Sequence, residues 1–322
     1  MGYILEQIEK MYKDAVLKRQ DPDGTIFYFN EDYFEGLKSN EFSFMSKRGH
    51  RLYGKFYYYD GYRTDRLIVF EHGMGNGHNA YFREIEHLAK KGYLVYSYDH
   101  TGCYRSEGDH IYGLSGSLSD LDDCITALVK EKGLNENEIS IIGHSWGGFS
   151  SLNILDYHPD IHSIVAMAGF ISVKVMHKQT IPFFLAPFRN RLFEIEKQLN
   201  PKFVDSNAIK VLGKTERPVF IIHSMDDKTV NFKTNFRALS RALIEKINIE
   251  YLLVNGSGHS PHFSSTASAY MTEFFKAHHN MRKEGLLETD EHKKKFLDSY
   301  DWFAMTEQGE YVWEHIFKFL EK

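Results

Sequence analysis

Residues 139–148 read Ile-Ser-Ile-Ile-Gly-His-Ser-Trp-Gly-Gly, a short apolar run that ends in Gly143-x-Ser145-x-Gly147. Residues of these types at this spacing can make a serine hydroxyl into a nucleophile. Serine attacks poorly at neutral pH, so it needs a base within hydrogen-bond reach and open access to substrate. A sharp strand-to-helix turn provides the access. Glycines must flank it, because a Cβ there would crowd the helix or the adjacent strand. The pattern alone is weak, and its meaning rests on an acid, a histidine and an oxyanion site in the right contexts.

The acid is sought after a later strand. The apolar run 219–223 is followed by Ser224-Met225-Asp226-Asp227-Lys228-Thr229-Val230, which offers two adjacent carboxylates. The spacing to Val230 favours Asp227; the plainer role for it is the N-cap of a helix beginning near Phe232. The histidine is sought after the last strand, where Asn255-Gly-Ser-Gly-His259-Ser-Pro261 stands. Its glycines leave the loop free to bring an imidazole over Ser145. The chain holds 17 histidines, and position after the last strand singles out His259, with His262 as its rival.

Acyl transfer also needs preorganised N–H donors where negative charge develops. One is the N–H of Trp146, next after the nucleophile. The other is expected from the loop Glu71-His72-Gly73-Met74-Gly75-Asn76-Gly77, at Met74. A glycine-rich loop after a strand also suggests a phosphate cradle. No Gly-Lys-Ser/Thr follows it, however, and Gly73-x-Gly75-x-Gly77 lacks the Gly-x-Gly-x-x-Gly spacing.

These residues must be positioned by regular elements. Ile4, Leu5, Ile8, Met11, Tyr12, Ala15 and Val16 recur at helical spacing, and Asp21-Pro22-Asp23-Gly24 is a turn. Strands are expected at 42–46, 52–59, 67–70, 93–98, 139–142, 163–168, 219–223 and 250–254. Helices are expected at 81–91, 120–132, 146–157, 232–247 and 311–320. Strands alternating with helices give an α/β fold, a mostly parallel sheet covered on both faces. Ligands bind such sheets at the carboxyl ends of the strands. Gly73, Ser145, Asp227 and His259 all follow predicted strand ends.

Three stretches depart from the rhythm: an N-terminal extension (1–40), an insertion at 170–214 and a helical insertion (264–305) before the final helix. Residues 170–214 are expected to form a helical cap over the strand ends, with a helix at 191–199. They carry eight basic and three acidic side chains, 8 − 3 = +5, in a chain of net charge −5, so the rest is −10. Opposite charge could hold this cap on the body. Alternatively, the apolar run 181–188 could be a wall for an acyl chain and the cations could meet an anionic head group or a lipid surface, a peripheral membrane contact through the cap. On that second reading Phe183 and Phe184 bind substrate.

The 322 residues suffice for one elaborated domain, and the net acidity argues against a nucleic-acid partner. Cys103 and Cys124 lack metal-ligand spacing and read as reduced thiols. Glu6, Glu9 and Lys10 interrupt any signal-peptide core, and Glu6 stands where a myristoylation signal needs Ser or Thr. No run of 18 apolar residues occurs, so a cytoplasmic location without a transmembrane segment is expected. No cofactor or metal is called for.

Taken together, His72-Gly73-Met74-Gly75, Asp99-His-Thr-Gly102, Gly143-His-Ser-Trp-Gly147, His223-Ser-Met-Asp-Asp227 and Gly258-His259-Ser260 resemble the α/β-hydrolase superfamily. Within it, the chain is similar to the branch of serine aminopeptidases, monoacylglycerol lipases and lysophospholipases. The resemblance runs from about 42 to 262 and resumes at the last helix. Thr101, Tyr104 and Ser224 depart from residues frequent there. The order Ser, Asp, His is the one the superfamily uses. It implies ester hydrolysis through an acyl-enzyme, on a small ester or a lipid-like one. The same residues could serve a peptidase or amidase, and a non-catalytic binding protein on this fold is the alternative from another class.

Overall fold

The computed structural model describes residues 2–75 and 77–322. Asn76, in the glycine-rich loop, lies outside the described residues, as do the side chains of Ile4, Leu5, Ile8 and Ala15 on the first helix.

The chain opens with helix α1 (Gly2–Val16) and enters the sheet through a hairpin, β1 (Lys38–Met45) and β2 (Arg51–Tyr58). The alternation then runs β3 (Leu67–Glu71), α2 (Phe82–Lys90), β4 (Leu94–Tyr98), α3 (Gly116–Lys132), β5 (Ile139–His144), α4 (Trp146–Asn153) and β6 (Ser163–Met167). The insertion follows as α5 (Val173–Thr180), α6 (Ala186–Leu199) and α7 (Ala208–Lys214). The sheet resumes with β7 (Val219–Ser224), α8 (Phe236–Ala242) and β8 (Ile249–Val254). The C-terminal part is helical: α9 (Ser265–Lys283), α10 (Asp290–Leu297), the single turn α11 (Trp302–Met305) and α12 (Glu310–Leu320).

The eight strands lie in the order β1-β2-β4-β3-β5-β6-β7-β8. The β1–β2 and β2–β4 pairs are antiparallel, and every later pair is parallel. Side chains alternate between faces along a strand, so a sheet covered on both sides needs apolar residues at consecutive positions. In β3, Leu67 and Val69 join the core under α3 and α4, whereas Ile68 and Phe70 join the core under α2 and α12. Two satellite cores lie outside the sheet. Ile181, Phe188 and Leu192 of the 170–214 insertion pack with Tyr12 of α1. Phe274, Leu287, Phe296 and Met305 pack with Ile26 of the N-terminal segment.

Two expected helices are shorter than their sequence patterns. Only Phe236–Ala242 of 232–247 is α-helical. Asn231 Oδ1 accepts the N–H of Lys233 and Thr234, a side-chain turn that competes with helix before Asn235. The helix expected at 146–157 becomes a 3₁₀ turn at Ile154–Asp156. Among the described residues no helix is long and apolar enough to cross a membrane, and no group of three or more metal-ligating side chains is assembled.

Candidate active site

Ser145 sits between the end of β5 and the start of α4 with φ 57° and ψ −110°. That is strained backbone for a residue with a Cβ. The flanking glycines permit it. A Cβ on Gly147 would strike the carbonyl of Glu71 on β3, and one on Gly143 would strike Gly147 O and Ser151 Oγ. The turn thus presses the helix start against two strands, leaving the serine side chain at its apex, partly exposed.

His259 comes to this apex from the loop after β8. Its Nε2 is 2.7 Å from Ser145 Oγ, and its Nδ1 is 2.8 Å from Asp227 Oδ2. Asp227 is buried, and its Oδ1 accepts the N–H of Thr229 at 2.8 Å and of Val230 at 2.9 Å. Val230 therefore does fix the carboxylate, through its backbone. With Nδ1–H donating to Asp227, the neutral ring leaves Nε2 free to accept the serine proton. Asp226 points elsewhere: it accepts from Ser224 Oγ and from the N–H groups of Gly256 and Gly258, bracing the loop that carries His259. His262 is buried against Glu84, with Nε2 2.8 Å from Oε1, and its ring lies 5.0 Å from that of His144.

The glycine-rich loop passes beside Ser145. A methyl group on Gly73 would stand 3.4 Å from Ser145 Cβ and would collide with the Tyr81 hydroxyl. His72 Nδ1 lies 2.6 Å from Gly73 O, while its Nε2 accepts the N–H of His100. Burial holds this imidazole well below its ordinary pKa, so it is neutral, with the proton on Nδ1. Its hold on the Gly73 carbonyl turns the N–H of Met74, across the same planar trans peptide, to the opposite side. The N–H of Trp146 opens α4, where no helical carbonyl precedes it. Its indole Nε1 donates to Leu114 O at 2.6 Å, fixing the turn from the other side. Below the loop, desolvation pushes the Glu71 carboxyl up to about 7 in a buried cluster with His100 and Asp120.

Two participants lay outside the sequence reading. His144, the residue before the serine, is buried, with Nδ1 2.8 Å from Tyr81 Oη and Nε2 2.7 Å from the backbone oxygen of His259. Its place in the Gly-x-Ser motif marks it as a strand-end residue, but nothing in the sequence pairs it with Tyr81.

The family model described as serine aminopeptidase, S33, matches residues 62–208. This match joins the sheet order and the strained serine turn. The chain has the α/β-hydrolase fold. Among curated relatives, a proline iminopeptidase of Clostridioides difficile is 30% identical over 116 residues, 35% of this chain and 38% of that protein. An acylamino-acid-releasing enzyme of Rattus norvegicus is 22% identical over 185 residues, 54% of this chain and 25% of that protein. The matched stretches thus span well under half the length of these relatives. In fold, the chain is similar to an esterase of Pyrococcus furiosus, with TM-score 0.59 and 18% identity, covering 83% of this chain and 98% of that one. It is also similar to acetyl xylan esterase 1 of a Thermoanaerobacterium species, with TM-score 0.53 and 14% identity over 80% and 88%.

Phe183 and Phe184, expected to bind substrate, lie outside the cavity beside Ser145. Phe183 and Phe184 are 83% and 73% exposed. The cavity beside Ser145, about 620 Å³, is bordered by Gly73, Met74, His144 and His259, and no described residue of 170–214 lines it. The physical reason is that the insertion spends its apolar face on α1: Ile181, Phe188 and Leu192 turn inward, which leaves Phe183 and Phe184 on the outer side. Its cations also find partners in the body. Lys202 pairs with Asp122, Lys214 with Asp156 and Arg191 with Glu9.

Proposed function

We propose that this protein is a serine hydrolase that cleaves carboxylic esters through an acyl-enzyme, a carboxylesterase or an enzyme of the lysophospholipase and monoacylglycerol lipase kind. The observation that carries this reading is the continuous hydrogen-bonded chain from Ser145 Oγ through His259 to Asp227. Ser145 attacks the ester carbonyl as His259 Nε2 takes its proton. The negative charge on the tetrahedral oxygen falls to the N–H groups of Trp146 and Met74. His259 then gives the proton to the departing alcohol. Water, deprotonated by the same nitrogen, releases the acid, and Asp227 keeps the imidazole in its working tautomer throughout. Removing one such N–H donor typically costs about 10²–10³ in rate.

The test is labelling by a fluorophosphonate probe together with hydrolysis of p-nitrophenyl esters. Covalent labelling of Ser145 and ester turnover are expected. A folded protein that neither labels nor turns over any ester would be a binding protein instead. Amide hydrolysis is the second reading, favoured by the aminopeptidase description of the matching family model and by the relatives named proline iminopeptidase and acylamino-acid-releasing enzyme. Alanyl and prolyl amides assayed beside the esters separate the two, since only a peptidase turns them over at comparable kcat/KM.

A further inference from the structure

Two walls of the cavity beside Ser145 come from places that the family match does not reach. One is the N-terminal segment at 26–29; the other is α9 with α11, in the C-terminal helical insertion. Both lie outside residues 62–208. Polar contacts fasten the two walls together. Arg282 pairs with Asp23, Lys293 Nζ donates to the Asp23 carbonyl at 2.9 Å, and His278 Nε2 is 2.9 Å from Thr25 Oγ1. Behind them, the Arg83 guanidinium lies 5.8 Å from the Phe29 ring centroid and 5.0 Å from that of Phe303. This is a built enclosure, held by its own small core and its own ion pair.

What it encloses is decided by its lining. Phe27, Phe29, Met271, Phe274, Trp302 and Met305 face a space of about 620 Å³ that reaches His259. Pockets of a few hundred Å³ lined mainly by apolar and aromatic side chains take up apolar ligand surface and exclude water from it. At the solvent side, Met74 and Phe275 line the same space and remain 39% and 48% exposed. An apolar group entering there covers surface that water otherwise meets.

Resting on the serine-hydrolase reading above, we propose that this cavity binds a bulky apolar group of the ester substrate, borne on its acyl or its alcohol side. Substrate selectivity then lies with the N-terminal segment and the helical insertion, and not with residues 170–214. Each added methylene that enters the cavity raises kcat/KM about threefold to fivefold, the worth of its burial.

Two substrate series and three variants test this. One series is p-nitrophenyl esters from acetate to decanoate; the other is acetates of alcohols from ethanol to naphthol. Ala269 is exposed on α9 and lines the cavity, so Ala269→Trp fills the space without removing any packed side chain. Met271→Ala enlarges the same space. The expected result is that Ala269→Trp lowers kcat/KM at least tenfold more for the large member than for the small member of one series. Met271→Ala shifts the preferred size upward, and the series that responds tells whether acyl chain or alcohol is bound. The Phe183→Ala/Phe184→Ala double variant is expected to change that ratio no more than twofold. Parallel losses on large and small esters in both series, or a selective loss in the double variant alone, would overturn the proposal. An unmodified protein inert to every ester and to the fluorophosphonate would instead sink the serine-hydrolase reading, so the two failures are distinct.

Discussion

His144 Nε2 lies 2.7 Å from the backbone oxygen of His259, and since a carbonyl can only accept, that nitrogen carries the ring's proton. Burial holds His144 well below the ordinary histidine pKa, so the ring is neutral and its Nδ1 must accept from the Tyr81 hydroxyl. Tyr81 in turn abuts Gly73. One neutral imidazole thus ties the loop proposed to hold the oxyanion to the loop that carries His259. Tyr81→Phe is expected to lower kcat about tenfold with KM little changed, and His144→Ala about a hundredfold, the scale of a misplaced catalytic group. His144→Gln, which can restore an N–H to the carbonyl, should recover part of the loss. Steady-state kinetics on one ester reads all three, and equal effects on kcat and KM would mean the pair serves only the fold.

The two adjacent aspartates make a sharp contrast. Ser145→Ala, His259→Ala and Asp227→Asn are each expected to lower kcat by about 10³ or more, non-additively when combined. Asp226→Asn weakens the brace on Gly256 and Gly258 and the bond from Ser224 Oγ, and should cost far less. The kcat values of the two Asn variants, compared directly, check this; a reversed order would reassign the acid.

Gly147 is fixed by a close approach. A Cβ there meets backbone of β3, which cannot yield as a side chain could. Gly147→Ala is expected to destabilise by about 1–3 kcal/mol. Gly213, inside α7, has only Leu243 Cδ2 near its would-be Cβ, at 3.7 Å, so Gly213→Ala should be neutral or slightly stabilising. Thermal midpoints of the two variants test the distinction.

A buried polar cluster gives the stability a pH window. Burial disfavours charge on His158, but its bonds to Asp122 and Glu136 outweigh that and raise its pKa. Burial also opposes ionisation of Asp122, yet His158, Lys47 and Lys202 hold it below the ordinary carboxylate range. The histidine's contribution is complete below about 6.5, its unfolded value, and fades as pH rises through the raised folded value. The aspartate's contribution is complete above about 3.9 and fades as pH falls through the lowered one. His158→Gln should therefore lower the thermal midpoint by about 2–4 °C at pH 6 and by distinctly less at pH 9. A pH-independent difference would show that packing alone is lost.

The strand rhythm and the serine turn were legible because each has a local cause: alternating burial, glycines at close approach, and functional side chains at strand ends. Ser145, Asp227 and His259 each follow a strand, and the structure brings those three within hydrogen-bond distance. The cavity wall had no such local mark. Ile26 and Phe27 face Met271 and Trp302 through contacts between distant stretches of chain, which no window of sequence reveals. The placement of the run at 181–188 was hidden for a related reason. Its hydrophobicity was visible, but not that α1 would cover half of it and leave Phe183 and Phe184 outward.

Asp23 and Arg282, which pair across the cavity wall, are 259 positions apart. At about 5–20 residues per second of synthesis, one half of that wall waits roughly 13–50 s for the other. During that interval Ile26, Phe27 and Phe29 have nothing to pack against on the side that α9 and α11 will occupy. Ser145, Asp227 and His259 have all been made before α9 begins. Until α9 and α11 are made, a nascent chain leaves the apolar side chains of 26–29 uncovered on that side, where a holdase chaperone or another chain's apolar surface competes with completion of the fold.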